Sequence, residues 1–118
     1  MNNSLSIKLY KNNDLCLNQK EVNYNLSDNR YKFILDDVQN SILIGEEQLV
    51  LVRDNQEYNL KLTINKNGQH TCEYLLKELD CYVDIMVDSA EFSFTDDFLE
   101  IYYQLETDDA FTKIEIKL

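Results

Sequence analysis

Apolar and polar residues alternate along most of this chain. Leu5, Ile7 and Leu9 are separated by Ser6 and Lys8, while Tyr58, Leu60, Leu62 and Ile64 are separated by Asn59, Lys61 and Thr63. Val83, Ile85 and Val87 alternate with Asp84 and Asp88 in the same way. A period of two puts successive side chains on opposite faces of an extended backbone, so each run predicts a half-buried β-strand. The clearest case is residues 99–118, where Leu99, Ile101, Tyr103 and Leu105 are followed by Thr107-Asp108-Asp109 and then by Ile114, Ile116 and Leu118. Two such rows around an acidic turn predict a β-hairpin. The whole chain read this way predicts strands near 4–10, 21–27, 30–36, 41–45, 48–53, 57–65, 69–76, 81–88, 91–95, 98–106 and 110–118.

The connections are short, and their residue types say how the chain turns. Asn67-Gly68 is the strongest hairpin turn, because both residues tolerate positive φ. The only other glycine is Gly45 and there is no proline, so turns at Asp28-Asn29, Asp36-Asp37, Asp54-Asn55 and Asp108-Asp109 must rely on Asn and Asp. One stretch fits a second template. Cys72, Leu75, Leu76 and Leu79 fall at the i, i+3, i+4 and i+7 spacing of an amphipathic helix. The alternating runs on either side favour a strand that turns between residues 77 and 80. The expected fold is therefore all-β: a single antiparallel barrel of about eight to ten strands with little or no helix.

Composition adds boundaries to this picture. A chain of 118 residues fits one domain and buries roughly two-thirds of its unfolded surface in a single core. The N-terminus lacks the basic flank and the run of about 7 to 15 apolar residues of a signal peptide, and no apolar run is long enough to span a membrane as a helix. A soluble, cytoplasmic protein is the expectation. Cys16, Cys72 and Cys81 are odd in number and irregularly spaced, which fits reduced thiols better than a disulfide frame.

The net charge of −11 is concentrated. Residues 73–109 hold twelve acids against Lys77 alone, while the rest of the chain is balanced to within one charge. That segment repels a phosphate backbone and an anionic membrane surface, so neither nucleic acid nor membrane is an expected partner. It also suggests a cation site, but Asp80, Asp84 and Asp88 on a strand stand roughly 13 Å apart in succession, too far to share one ion. His70, Cys72 and Cys81 lack a fourth ligand for zinc, and the Leu76–Cys81 pairing expected from the turn leaves Cys72 farther up the ladder. No metal and no cofactor are expected.

Catalytic signatures are missing as well. The single histidine, the absence of a G-x-S-x-G elbow and the absence of glycine-rich phosphate loops leave no expected catalytic residue. Asp36-Asp37, Asp96-Asp97 and Asp108-Asp109 are adjacent in sequence; on strands their carboxylates point to opposite faces, and in turns they are ordinary turn residues. Tyr24, Tyr58 and Tyr103 fall on inward rows and are the candidate polar groups of an interior ligand cavity. Tyr82, Asp84, Met86, Asp88 and Tyr102 fall on outward rows or the acidic segment and are the candidate interaction surface.

Residues 48–53, 58–62, 72–74, 83–87, 99–105 and 113–116, taken in order and spacing, resemble the YwiB-like family of small uncharacterised bacterial proteins, with a weaker echo at 6–10 and 30–37. The most telling part is Leu99-x-Ile101-x-Tyr103-x-Leu105 followed by a closing strand. The chain departs from the family at Asp54-Asn55 and at residues 77–80, where the family has glycine turns. The resemblance implies a calycin-like, lipocalin-related barrel and carries over no catalytic residue. Three readings stay open: a non-catalytic barrel that binds a small hydrophobic or amphiphilic ligand in its interior, an acidic protein-interaction module with a solid core, and an enzyme with a strand-borne carboxylate site.

Overall fold

A computed structural model describes residues 3–118 and is all-β. The strands are β1 (Ser4–Lys11), β2 (Asp14–Ser27), β3 (Arg30–Leu35), β4 (Val38–Ile44), β5 (Gln48–Asp54), β6 (Tyr58–Asn65), β7 (Thr71–Leu76), β8 (Cys81–Ile85), β9 (Val87–Thr95), β10 (Phe98–Leu105) and β11 (Thr112–Lys117). No helix is present among the described residues, so none is long and apolar enough to cross a membrane. The strands form one sheet in the order β8-β7-β6-β5-β4-β3-β2-β1-β11-β10-β9. Every pairing is antiparallel, and the first strand pairs with the last through Ile7 opposite Ile116 and Leu9 opposite Ile114.

That pairing rolls an eleven-strand meander into a nearly closed barrel. The two strands at the ends of the sheet, β8 and β9, are separated by Met86 alone. They behave as one extended run that changes partner: β8 pairs with β7, β9 pairs with β10, and the Met86 carbonyl accepts a hydrogen bond from the Glu106 N–H at 2.9 Å. The long strand β2 makes the same kind of transfer, pairing with β1 as far as Asn23 and with β3 from Tyr24 onward. Counting β8 and β9 as one run leaves ten strand positions around the barrel, a number that closes only when strands tilt and stagger.

Alternation in sequence becomes burial in space. Ile42, Leu51, Leu62 and Cys72 lie opposite one another across four strands and are all buried. Leu49, Ile64, Leu99, Ile101, Ile114 and Ile116 complete a core with Leu5 and Ile7. Antiparallel cross-strand neighbours share a face, so one inward row per strand suffices to fill the interior. The void left among Leu5, Phe33, Ile42, Leu99 and Ile116 is about 10 Å³ and has an apolar lining. Such a space is near the lower limit for one water and offers that water no partners, so it is dry.

The turns explain how a chain nearly free of glycine reverses so often. Asn12-Asn13, Asp28-Asn29, Asp36-Asp37 and Asp96-Asp97 all carry positive φ at both positions. This is the geometry that matches the right-handed twist of flanking strands. Asp54-Asn55 works differently: both residues keep negative φ, and the Asn55 Oδ1 accepts the Glu57 and Tyr58 N–H groups at 2.8 and 2.9 Å. Asp108-Asp109 lies in a looser loop in which the Asp108 N–H donates to the Leu105 carbonyl. Residues 77–80 form a turn between β7 and β8 rather than the end of a helix, and Leu76 stands opposite Cys81 as expected.

Several boundaries differ from the sequence reading: β4 begins at Val38 instead of 41 and β9 at Val87 instead of 91, and two further differences have a clear physical cause. Strand β2 begins at Asp14, not near residue 21: Asn12-Asn13 makes a tight hairpin, and two register shifts against β1 interrupt the alternation of Leu15, Leu17, Val22 and Tyr24. The expected strand over 81–88 is divided at Met86, where hydrogen bonding changes partner.

Truncating a fully buried side chain removes transfer energy and leaves a cavity, so Leu62→Ala should lower unfolding free energy by about 2–5 kcal/mol. Leu15→Ala, at a position 52 % exposed, should change it by less than about 0.5 kcal/mol. Urea unfolding followed by circular dichroism measures both; equal losses would mean that the core is not where these rows place it.

Candidate functional site

The tyrosines expected in an interior cavity do not share one. Tyr103 is buried in the core on β10, opposite Thr112 of β11, and burial pushes its hydroxyl above the ordinary tyrosine range against the opposing pull of Arg53. Tyr58 stacks on Tyr74 with ring centres 5.5 Å apart, and Tyr24 packs tilted against Tyr31 at 5.6 Å. Strands β2 and β6 are four places apart in the sheet, so Tyr24 and Tyr58 are separated by roughly 19 Å along it. Inward rows are correct for all three, but the interior they face is filled with Leu and Ile side chains. Neither the small interior void nor the cleft described next is lined by any of them.

The large concavity lies in the barrel wall, where β2 parts from β3. The β1–β2 register shifts between Leu5 and Ile7, so Lys20 and Glu21 bulge out of the ladder, and Glu21 takes φ 59°. A bulge adds an unpaired residue and bends its strand. Pairing between β2 and β3 then stops at Tyr24 and Phe33, while β3 goes on to Leu35 against β4. Residues 19–23 of β2 and 34–35 of β3, with the turn residue Asp36, are left without ladder pairing to each other. The cleft between and beside them has a volume of about 830 Å³ and continues over the outward face of β4 and β5 to Ser41, Val52 and Asp54.

Its lining mixes three chemistries. Lys20, Arg30 and Lys32 line it, and among the described residues none of the three reaches ion-pair distance of a carboxylate. Gln19, Asn23, Asn25, Gln39 and Asn59 add carboxamides, which both donate and accept. Ile34, 64 % exposed, and Val52 supply an apolar strip on the outward face. At the far end Asp54 is already committed. Its carboxylate accepts from Lys77 at 2.7 Å and from the Asn59 amide at 3.2 Å, and these hydrogen bonds hold its pKa below the ordinary carboxylate range. The acids left free at the cleft are Glu21 and Asp36.

The expected interaction surface is only partly assembled. Tyr82 and Asp84 lie on the outward face of β8, with Met86 at the partner change and Asp88 early in β9. Tyr102 is not beside them. Strands β8 and β10 are not paired, and Tyr102 sits opposite Glu91 and Lys113 and stacks on Phe111 at 5.0 Å. The partner change at Met86 sends β8 and β9 to opposite ends of the sheet order, and no local sequence signal announces it.

Residues weighed as metal ligands are placed in other roles. The His70 Nδ1 accepts the Asn65 N–H at 3.2 Å in the β6–β7 turn, and Cys72 is buried opposite Leu62. Among the described residues no three His, Cys, Asp or Glu side chains gather closely enough to hold a metal ion. The cleft cations had a signal in the sequence: Lys20, Arg30 and Lys32 belong to the charge-balanced part of the chain. Lys20 lies in the bulge and lines the same cleft as the other two.

All three thiols are free, with Cys16 and Cys81 exposed. Burial pushes the Cys72 thiol from its ordinary 9.0 up to about 11, aided by the nearby Asp108 and Glu73 charges. A disulfide reagent at pH 8 should therefore modify Cys16 and Cys81 at once and Cys72 only after denaturant is added. The same shift has no effect on stability below pH 9 and costs stability as pH rises from 9.0 towards 11, because only the unfolded chain ionises freely there. Three equally fast thiols in the native protein would contradict the burial of β7. Compared with known protein families, with curated proteins and with solved structures, the chain matches none.

Proposed function

We propose that this protein is a non-catalytic binding barrel whose ligand site is the cleft between β2 and β3, and that the ligand is a small amphiphile with an anionic head. The observation that carries this reading is the contrast between the two concavities: about 830 Å³ in the wall against about 10 Å³ in the interior. Pockets for small molecules generally run from roughly 300 to 1,000 Å³ and combine apolar surface with a few converging polar groups. Lys20, Arg30 and Lys32 favour an anion in a chain whose remaining surface is strongly acidic. Ile34 and Val52 favour an apolar tail beside it.

The interior site gives way to a wall site because the core is packed. A packed core admits a guest only by displacing side chains, and forcing extra volume into such a core costs about 1–3 kcal/mol or more. The proposal extends to the likeness with the YwiB-like family and its calycin-like barrel, which rests on the residues of β5 to β11 and their order. It extends also to a cytoplasmic location, supported by three free thiols, two of them exposed.

Octanoate is a direct probe, set against neutral octyl glucoside. Octanoate should raise the melting temperature, since a ligand selective for the folded state stabilises it, and should shift the amide resonances of residues 19–25 and 30–36. Exchanging both β3 cations, as Arg30→Glu with Lys32→Glu, should abolish the octanoate response and leave the fold intact. Octanoate signals confined to core residues such as Ile101, or the same response in the double variant, would sink the wall site.

A further inference from the structure

The barrel has one seam, and its two margins are built differently. Strand β9, at one margin, faces outward with Glu91, Ser93 and Thr95, and its inward Phe92 is covered by the Lys66 ammonium 5.4 Å from the ring centre. Strand β8, at the other margin, is left bare. It pairs with β7 only, shows no register shift, and carries no lysine or proline. Bulges, lysines and prolines protect sheet edges against added strands, and of the remaining such devices β8 has only its five-residue length and the charge of Asp84. Seven large apolar side chains are exposed in the described residues, and Leu79, Tyr82, Val83 and Met86 account for four of them. Tyr82 is 72 % and Met86 68 % exposed.

The row pattern at this margin specifies what would complete it. Across β7 and β8, Leu75 stands opposite Tyr82, Tyr74 opposite Val83, and Glu73 opposite Asp84. Two like charges facing each other across a ladder disfavour the pair. Among the described residues no cation reaches ion-pair distance of either carboxylate, although Lys61 stands opposite Glu73 on the far side. An added strand would hydrogen-bond to the outward N–H and C=O groups of β8, which an antiparallel edge presents at every second residue. Its residue opposite Asp84 would gain from being a cation. Its residues opposite Tyr82 and Val83 would gain from being apolar.

We infer that β8 is a docking edge for an extended segment of a partner protein in which a Lys or Arg is followed at the second position by an aromatic or aliphatic residue. The occupant is set by charge complementarity. A second copy of this chain brings its own acid-rich 73–109 segment, with twelve acids and one base, to the same seam, and repulsion between the two opposes that pairing. This inference is independent of the β2–β3 cleft, because β8 and β2 lie six places apart in the sheet order.

The probe is the capped peptide Val-Lys-Val-Tyr-Val, which laid antiparallel sets its lysine opposite Asp84 and its tyrosine opposite Tyr82. Titrated into isotope-labelled protein, it should shift the amide resonances of Cys81 to Ile85 and slow their hydrogen exchange. Replacing its lysine by glutamate should weaken binding about two- to fivefold, the range expected for one cross-strand charge pair, and Asp84→Lys in the protein should reverse that preference. Methylating the peptide's backbone nitrogens should remove binding, which side-chain stickiness alone would not do. Shifts at other strands, no shift at millimolar peptide, or an unchanged preference in Asp84→Lys would overturn the inference. So would sedimentation showing that the unliganded protein dimerises with the same amides protected, which would give the edge to a second copy.

Discussion

Backbone hydrogen bonding between the first strand and the last is the constraint on which the rest of this structure depends. A meander of this length, left flat, would present two long unpaired edges and one uncovered apolar face. Pairing β1 with β11 brings Ile7 against Ile116 and Leu9 against Ile114, so that the inward rows of both halves meet and exclude water from each other. The ladder cannot run unbroken around the barrel, because β8 and β9 are consecutive in the chain and therefore cannot fold back on one another across a single residue, Met86. Closure is achieved instead by letting one extended run take a partner on each side. The seam is the unavoidable by-product of that solution.

Both sites proposed for this chain lie where the ladder is interrupted. At the β2 bulge, Glu21 sits at positive φ and the strand leaves β3, opening polar edges onto a cleft lined by Lys20, Arg30 and Lys32. At the seam, β8 is left with one partner and four exposed apolar side chains around it. Elsewhere most strands are paired on both sides and their inward rows pack into the core. In a small all-β domain, the places where regularity fails are the places left for recognition.

Much of the fold was legible because burial follows the period-2 pattern in the strands that supply most of the core, such as β4, β5, β10 and β11. Leu99, Ile101, Tyr103 and Leu105 are all buried, while Glu100, Tyr102 and Gln104 between them are not. The acidic turns were legible for a related reason: Asp28-Asn29 and Asp36-Asp37 adopt positive φ, which Asn and Asp tolerate best among residues other than glycine. The start of the strand at Asp14 was not legible, since two register shifts against β1 break the spacing of Leu17, Val22 and Tyr24, which pack on the core out of simple period-2 phase. The inward placement of Tyr24, Tyr58 and Tyr103 was legible, but whether they faced a cavity was not. That depends on how Leu and Ile side chains from strands distant in sequence share one volume.

The sequence by itself determined an all-β chain, the inward and outward row of nearly every strand, and the concentration of negative charge in residues 73–109, because each of these is local to a few neighbouring residues. Only the tertiary structure decided that β1 meets β11, that Leu and Ile side chains from distant strands meet in one core, that Tyr102 lies apart from Tyr82, and that Lys20 joins Arg30 and Lys32 at one cleft. Those outcomes depend on register, on a single-residue bulge and on the partner change at Met86. Such features shift whole strands relative to one another while leaving the alternation of apolar and polar residues unchanged.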